Sequence, residues 1–198
     1  MDLGALLESS GAILHGHFVL TSGRHSEVYF EKFRVLERPD VLSALCAEIA
    51  QHHDAADFDA VAGPTTGGII IAFEVARLMG LPAVYIESEA GRKTLRRGKV
   101  LSSGSRLLIV DDVLTTGTSL AESRDAIVAA GGEVGAFAVL IDRSTEDLGL
   151  GAPLFSAYRV EAQSYAEDDL PGWLAAIPAT KPGTRVAMDS TTGAKGGI

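Results

Sequence analysis

From about residue 58 onward the apolar positions of this chain gather into short unbroken runs, separated by longer stretches of helical period. Phe58 to Ala62, Ala83 to Ile86, Arg106 to Val110 and Val134 to Ile141 read as strands. The stretches from Gly67 to about Met79 and from about Thr118 to Ala130 read as helices, stopped by Gly80 and by Gly131-Gly132. Apolar runs without polar alternation suit strands buried on both faces. Strand and helix alternating at this spacing predict an α/β fold, with an open, mostly parallel sheet and helices on both of its faces. In such sheets ligands sit at the carboxyl ends of the strands. Three unusual segments fall there: 63–68, 111–119 and the residues after Ile141.

Before residue 58 the pattern is less regular. Residues 2–9 read as a short amphipathic helix. Phe18 to Leu20 and Val28 to Phe30 read as strands flanking the turn Ser22-Gly23-Arg24. Pro39 suits the start of a helix whose apolar positions Val41, Leu42, Leu45 and Ile49 share one face. The tail 181–198, rich in Gly, Thr and Ser, is expected to be loosely ordered.

Composition narrows the partners. The chain has 198 residues and a formal net charge of -9, which argues against a nucleic-acid partner. No run of about 18 apolar residues exists, so no membrane span is expected, and the N-terminus lacks the features of a signal peptide. The one cysteine, Cys46, excludes an internal disulfide and is expected as a small buried hydrophobe. A cytoplasmic location follows. The histidines His15, His17, His25, His52 and His53 lack metal spacing, and His52-His53 are expected to lend charge to a helix C-terminus.

The most informative stretch runs from Leu107 to Ser119. A hydrophobic strand ends in Asp111-Asp112, then Val113-Leu114-Thr115-Thr116-Gly117-Thr118-Ser119 leads into a helix. Backbone N–H groups and hydroxyls at a helix N-terminus bind anions, because those donors lack helical partners and the helix dipole favours negative charge. Gly117 allows backbone to approach a phosphate closely. Asp111 and Asp112 would repel phosphate but can accept hydrogen bonds from sugar hydroxyls beside it. A ribose phosphate fits both halves. The alternative is a plain strand-to-helix turn with Thr118 or Ser119 as N-cap.

Residues 107–119 resemble the signature of the type I phosphoribosyltransferases. The resemblance implies that the acids hold the ribose hydroxyls and the Thr/Gly loop holds the 5-phosphate. Further segments are similar to the orotate phosphoribosyltransferase family, from about Leu6 to Arg185. The stretch Leu20-Thr21-Ser22-Gly23-Arg24-His25-Ser26 with Tyr29-Phe30 is similar to a hood over the base, where aromatics can stack on a flat pyrimidine. Thr21 stands where many members carry Lys. Gly63-Pro64-Thr65-Thr66-Gly67-Gly68 resembles the pyrophosphate loop, and Arg143 matches the guanidinium that clamps the carboxylate of orotate. Thr115 matches a residue that also touches orotate.

Arg92-Lys93-Thr94-Leu95-Arg96-Arg97-Gly98-Lys99 concentrates cations in an acidic chain. The resemblance implies a mobile loop that closes over the neighbouring subunit's active site and brings cations to pyrophosphate. Here the loop is shorter and lacks the Lys-Asp-His-Gly run common in the family. Lys93 is the expected catalytic cation, with Asp112 the second catalytic residue. Arg92, Arg96 and Arg97 are expected pyrophosphate contacts, and Lys99 is a further candidate.

The implied protein is a single phosphoribosyltransferase domain over residues 1–180. Its small N-terminal hood lies mainly in 1–37, its core in about 38–165, and a C-terminal segment runs to 180. The resemblance further implies a homodimer with shared active sites. It also implies Mg2+ held through substrate pyrophosphate with no dedicated protein ligand. The rival readings are transfer to another base and a non-catalytic regulator that binds phosphoribosyl pyrophosphate.

Overall fold

A computed structural model describes residues 2–20, 22–89, 91–95, 101–144, 148–160 and 163–182. Its contacts divide the chain into two compact units, residues 1–14 with 30–162, and residues 15–29 with 163–198.

The first unit is built on a six-stranded sheet of order β5-β4-β3-β6-β7-β8. Its strands are β3 (Ala60–Pro64), β4 (Ala83–Glu89), β5 (Arg92–Leu95), β6 (Arg106–Leu114), β7 (Glu133–Asp142) and β8 (Leu154–Arg159). All neighbours run parallel except β4 and β5. The helices of this unit are α1 (Leu3–Ser9), α2 (Lys32–Leu36), α3 (Pro39–His52), α4 (Gly67–Met79) and α5 (Thr118–Ala129).

Side chains alternate across the central strands, and both faces are buried. Ala60, Ala62, Leu107, Ile109, Phe137 and Val139 form one cluster with Leu120 and Ile127 of α5. The intervening Val61, Leu108, Val110, Ala138 and Leu140 are equally buried, on the face where α4 packs against α3, β3 and β6. Val41, Leu42, Leu45, Cys46 and Ile49 line the buried face of α3. Burial pushes the Cys46 thiol up to about 12, which leaves it inert.

Strand order places the site. From β3 the chain crosses through α4 to β4 on one side, and from β6 it crosses through α5 to β7 on the other. The reversal falls between β3 and β6, which pair directly. The crevice beyond their carboxyl ends is where such sheets take ligands. The segments following those two strands are Thr65-Thr66-Gly67 and Thr115-Thr116-Gly117.

Several elements differ from the expectations. β5 lies within the segment expected as a mobile loop. Its register sets Arg92 opposite Glu89 and Lys93 opposite Ser88, so cross-strand charge pairing favours a hairpin. β6 continues to Leu114, because β7 pairs with it as far as Asp142. The histidines at the end of α3 also pack against aromatic rings. The His52 ring stacks on Phe155 at 3.9 Å. Burial, followed by the charge of His52, pushes His53 below its ordinary value.

The second unit holds most of a four-stranded sheet of order β10-β1-β2-β9. Here β1 is Ile13–Val19, β2 is His25–Phe30, β9 is Ser164–Tyr165 and β10 is Ala179–Thr180, with the short helix α6 (Gly172–Ala175) before β10. His17 and His25 are buried and in contact, Nε2 to Nδ1 at 2.6 Å, and His17 Nδ1 lies 2.8 Å from the Ile177 carbonyl. No helix among the described residues is long and apolar enough to cross a membrane.

Candidate active site

The site starts from a strand that carries charge at its end. β6 is apolar from Leu107 to Val110 and carries its acids toward its end, Asp111 buried and Asp112 half-buried. Residues at successive strand positions point to opposite faces, which separates the two acids. Asp111 continues the face of Ile109 toward α5. Its Oδ2 accepts the Ser119 hydroxyl at 2.6 Å and its Oδ1 accepts the Asp112 N–H at 2.8 Å. Asp112 continues the face of Val110 toward α4. Its Oδ1 accepts the Val113 N–H at 2.7 Å, and its Oδ2 accepts from Lys32 Nζ at 2.9 Å.

The turn into α5 is shaped for an anion. Gly117 is the N-cap, in the left-handed region at φ 75, and no side chain caps the helix. The structure therefore answers the plain capping alternative: neither Thr118 nor Ser119 is the cap residue. Ser119 gives its hydroxyl to Asp111, and the Thr116 and Thr118 hydroxyls lie 3.1 Å apart on the exposed side. Asp111 and residues 113–120 line a cavity of about 90 Å³. The first-turn N–H groups of α5 are left to a ligand or to water.

Electrostatics differ between the acids. Asp111 is buried, and burial pushes its carboxyl above the usual range. The Ser119 hydroxyl pulls it back, the neighbouring Asp112 charge adds to the rise, and Lys93 opposes it. Lys93 stands on β5 with its ammonium 2.8 Å from the Ser119 carbonyl and 2.6 Å from the Ser119 hydroxyl, and 3.7 Å from Glu122. It thus sits one residue removed from Asp111, within its own chain. Arg92 is exposed on the same strand.

Thr65, Thr66 and Gly67 form the second turn. The Thr65 N–H donates to the Ile86 carbonyl at 2.8 Å. Thr66 is the N-cap of α4, again without a side-chain cap. Gly67 has no room for a side chain, since a Cβ there would lie 2.4 Å from Asp112 Oδ2. One carboxylate oxygen therefore touches the start of α4 and the Lys32 ammonium together.

Of the expected site residues in the first unit, the structure brings together 111–119, Gly67 and Lys93. Thr65 and Thr66 are exposed beside Gly67. Arg143 follows β7 directly, and its N–H donates to the Leu114 carbonyl at 2.9 Å, which sets it beside the end of β6 next to Thr115. Phe30 is buried, whereas Tyr29, on the opposite face of β2, is half-buried with its ring 5.6 Å from that of Phe18. Arg96, Arg97, Lys99 and Thr21 lie outside the described residues, as does the tail from 183. Among the described residues no group of three or more His, Cys, Asp or Glu side chains could hold a metal ion.

Sequence reasoning missed Lys32. It is the first residue of α2, whose start is fixed by Glu31 accepting the Phe33 N–H. Lys32 is separated from Asp112 by 80 positions, so no local pattern could have paired them. An acid followed by Lys-Phe after an aromatic strand would have signalled only a helix start.

Comparison with known proteins agrees with this geometry. The model of the phosphoribosyl transferase domain matches residues 35–160. The orotate phosphoribosyltransferase of Pelotomaculum thermopropionicum is 43% identical over 184 residues, covering 93% of this chain and 97% of that protein. That of Parvibaculum lavamentivorans is 44% identical, covering 90% and 93%. Among solved structures, the orotate phosphoribosyltransferase from Aeropyrum pernix superposes with a TM-score of 0.70 at 33% identity, covering 80% of this chain and 94% of that one. The chain belongs to the phosphoribosyl transferase domain family and, within it, to the orotate phosphoribosyltransferases.

Proposed function

We propose that this chain transfers the 5-phosphoribosyl group from phosphoribosyl pyrophosphate to orotate, giving orotidine 5'-monophosphate and pyrophosphate in pyrimidine biosynthesis. One observation carries the reading: a carboxylate pair stands directly beside an uncapped helix start at the point where the sheet reverses its strand order.

Residues 113–119 are assigned to the 5-phosphate. Asp111 and Asp112 are assigned to the ribose hydroxyls, and Thr65, Thr66 and Gly67 to pyrophosphate. Breaking the bond from C1 to the pyrophosphate oxygen builds positive charge on the ribose and negative charge on the leaving group. Fixed donors and cations stabilise that charge only as it develops, which lowers the barrier itself. Asp112 lies beside the forming ribosyl cation, and Lys93 and Arg92, with Arg96 and Arg97, are the proposed cations for the leaving group. Lys93 would act within its own cleft, where its ammonium already meets Ser119. Arg143 and Thr115 are assigned to the orotate carboxylate on the strength of the sequence resemblance, which also implies the hood role of Tyr29 and Phe30.

Mg2+ fits this site as a partner of the substrate. Such an ion keeps water and diphosphate oxygens around it and needs no dedicated protein ligand. When bound, it would neutralise charge on the diphosphate. We also propose a homodimer in the cytoplasm. Ile70 and Phe73, exposed on α4, support a surface for self-association.

The test is to incubate the protein with phosphoribosyl pyrophosphate, Mg2+ and a panel of bases, and to follow pyrophosphate release. Release is expected with orotate. Release only with a purine would move the assignment to another base. Tight binding of phosphoribosyl pyrophosphate without release on any base would favour a regulator.

A further inference from the structure

We propose that Lys32 is a diphosphate-binding cation of this cleft, held on Asp112 in the free protein and handed to the pyrophosphate group when the ribose hydroxyls take that carboxylate. The inference rests on the assignment of Asp112 and residues 65–67 given above, and adds a residue to it.

The geometry sets Lys32 apart from Lys93. Lys93 is nearly enclosed, with 10% of its side chain exposed. Its ammonium is engaged by the Ser119 carbonyl, the Ser119 and Ser123 hydroxyls and Glu122. Lys32 has 43% of its side chain exposed and meets Asp112 Oδ2 at 2.9 Å. The Asp112 side chain is 13% exposed, so the pair opens to solvent on the lysine side, and the ammonium can leave from that side. An ammonium has three donors, and one carboxylate oxygen does not fill them.

The meeting point matters. The oxygen that receives Lys32 is the one that abuts Gly67, where a Cβ would lie 2.4 Å away. The ammonium therefore stands at the entrance to the 65–67 turn. Hydroxyl groups donating to Asp112 would compete with Lys32 for the same lone pairs. The displaced ammonium would then be a released positive charge beside an arriving diphosphate, which attracts it by simple Coulomb interaction. Lys32 is also well anchored at its base, as the first residue of a helix capped by Glu31, so the side chain can swing while its origin stays fixed.

The experiment measures binding without any base. The whole protein and its Lys32→Met and Lys32→Arg variants are titrated, in Mg2+, with phosphoribosyl pyrophosphate, with inorganic pyrophosphate and with ribose 5-phosphate. Lys32→Met should weaken the first two ligands roughly tenfold or more, the size expected for one charged hydrogen bond. It should leave ribose 5-phosphate bound as tightly as in the wild type, or more tightly, because Asp112 is released. Lys32→Arg should recover most of the pyrophosphate affinity. Equal weakening of all three ligands at an unchanged melting temperature would make Lys32 a mere support for Asp112 and overturn the proposal. No weakening of any ligand would overturn it too. Failure of the wild type to bind all three would instead sink the reading of the cleft itself.

Discussion

The two sides of the cleft use the same chemistry to opposite ends. On the α5 side, Asp111 is buried and its carboxylate is consumed by Ser119 and a backbone N–H, with Lys93 closing the network behind. On the α4 side, Asp112 is reached by a half-exposed lysine and rests against a glycine. Adjacent residues at a strand end fall on opposite faces, so one step of the pleat separates an acid enclosed among its own neighbours from an acid met by a distant, solvent-facing cation. A pair of identical residues in a motif need not share surroundings.

The contrast is sharpest at Asp112. Asp112→Asn should lower kcat/KM for phosphoribosyl pyrophosphate roughly 100-fold, the loss of about two charged hydrogen bonds, while the melting temperature stays near that of the wild type. A smaller kinetic loss than that of Asp111→Asn would reverse the assignment. Next comes the frame of the α5 side. Gly117→Ala forces a side chain into the left-handed region, at a cost of about 1–2 kcal/mol, and its Cβ would meet Leu148 at 3.0 Å. Denaturant titration should show that loss together with weaker binding of ribose 5-phosphate; stability equal to the wild type would mean the turn relaxes freely.

The smallest effect is the most diagnostic. Burial raises the pKa of Asp111 in the folded chain, so the folded state holds a proton that the unfolded state has already lost. Between the ordinary carboxylate range and that raised value, the wild type loses stability as pH rises, and above it the loss is complete. Asp111→Asn removes this dependence. It should melt roughly one or two degrees higher at neutral pH, with the gain shrinking as pH falls through the raised value. A gain equal at every pH would show that something other than the proton is responsible.

Much of this was legible in the sequence because it is local. The central strands, α4 and α5, the buried face of α3 and the cup at 111–119 follow from runs, periods and glycines within a dozen residues of one another. Gly80 ends α4 in the left-handed conformation, as its position suggested. What escaped was set by distance in the chain. β9 and β10 exist through pairing with strands far away in the chain. β5 was hidden because its cations read as part of a mobile loop, and the strand forms through pairing with β4, where Glu89 stands opposite Arg92. Lys32 found its carboxylate only through the fold.

The uncapped start of α5 also bears on the lifetime of the protein. Those amides gain their best partners only when an anion arrives, and a ligand that binds the folded chain alone deepens its stability by mass action. A cell short of the sugar diphosphate would keep this catalyst in its most easily unravelled form, exposed to proteases. Scarcity of the metabolite would then translate into scarcity of the enzyme with no dedicated regulator.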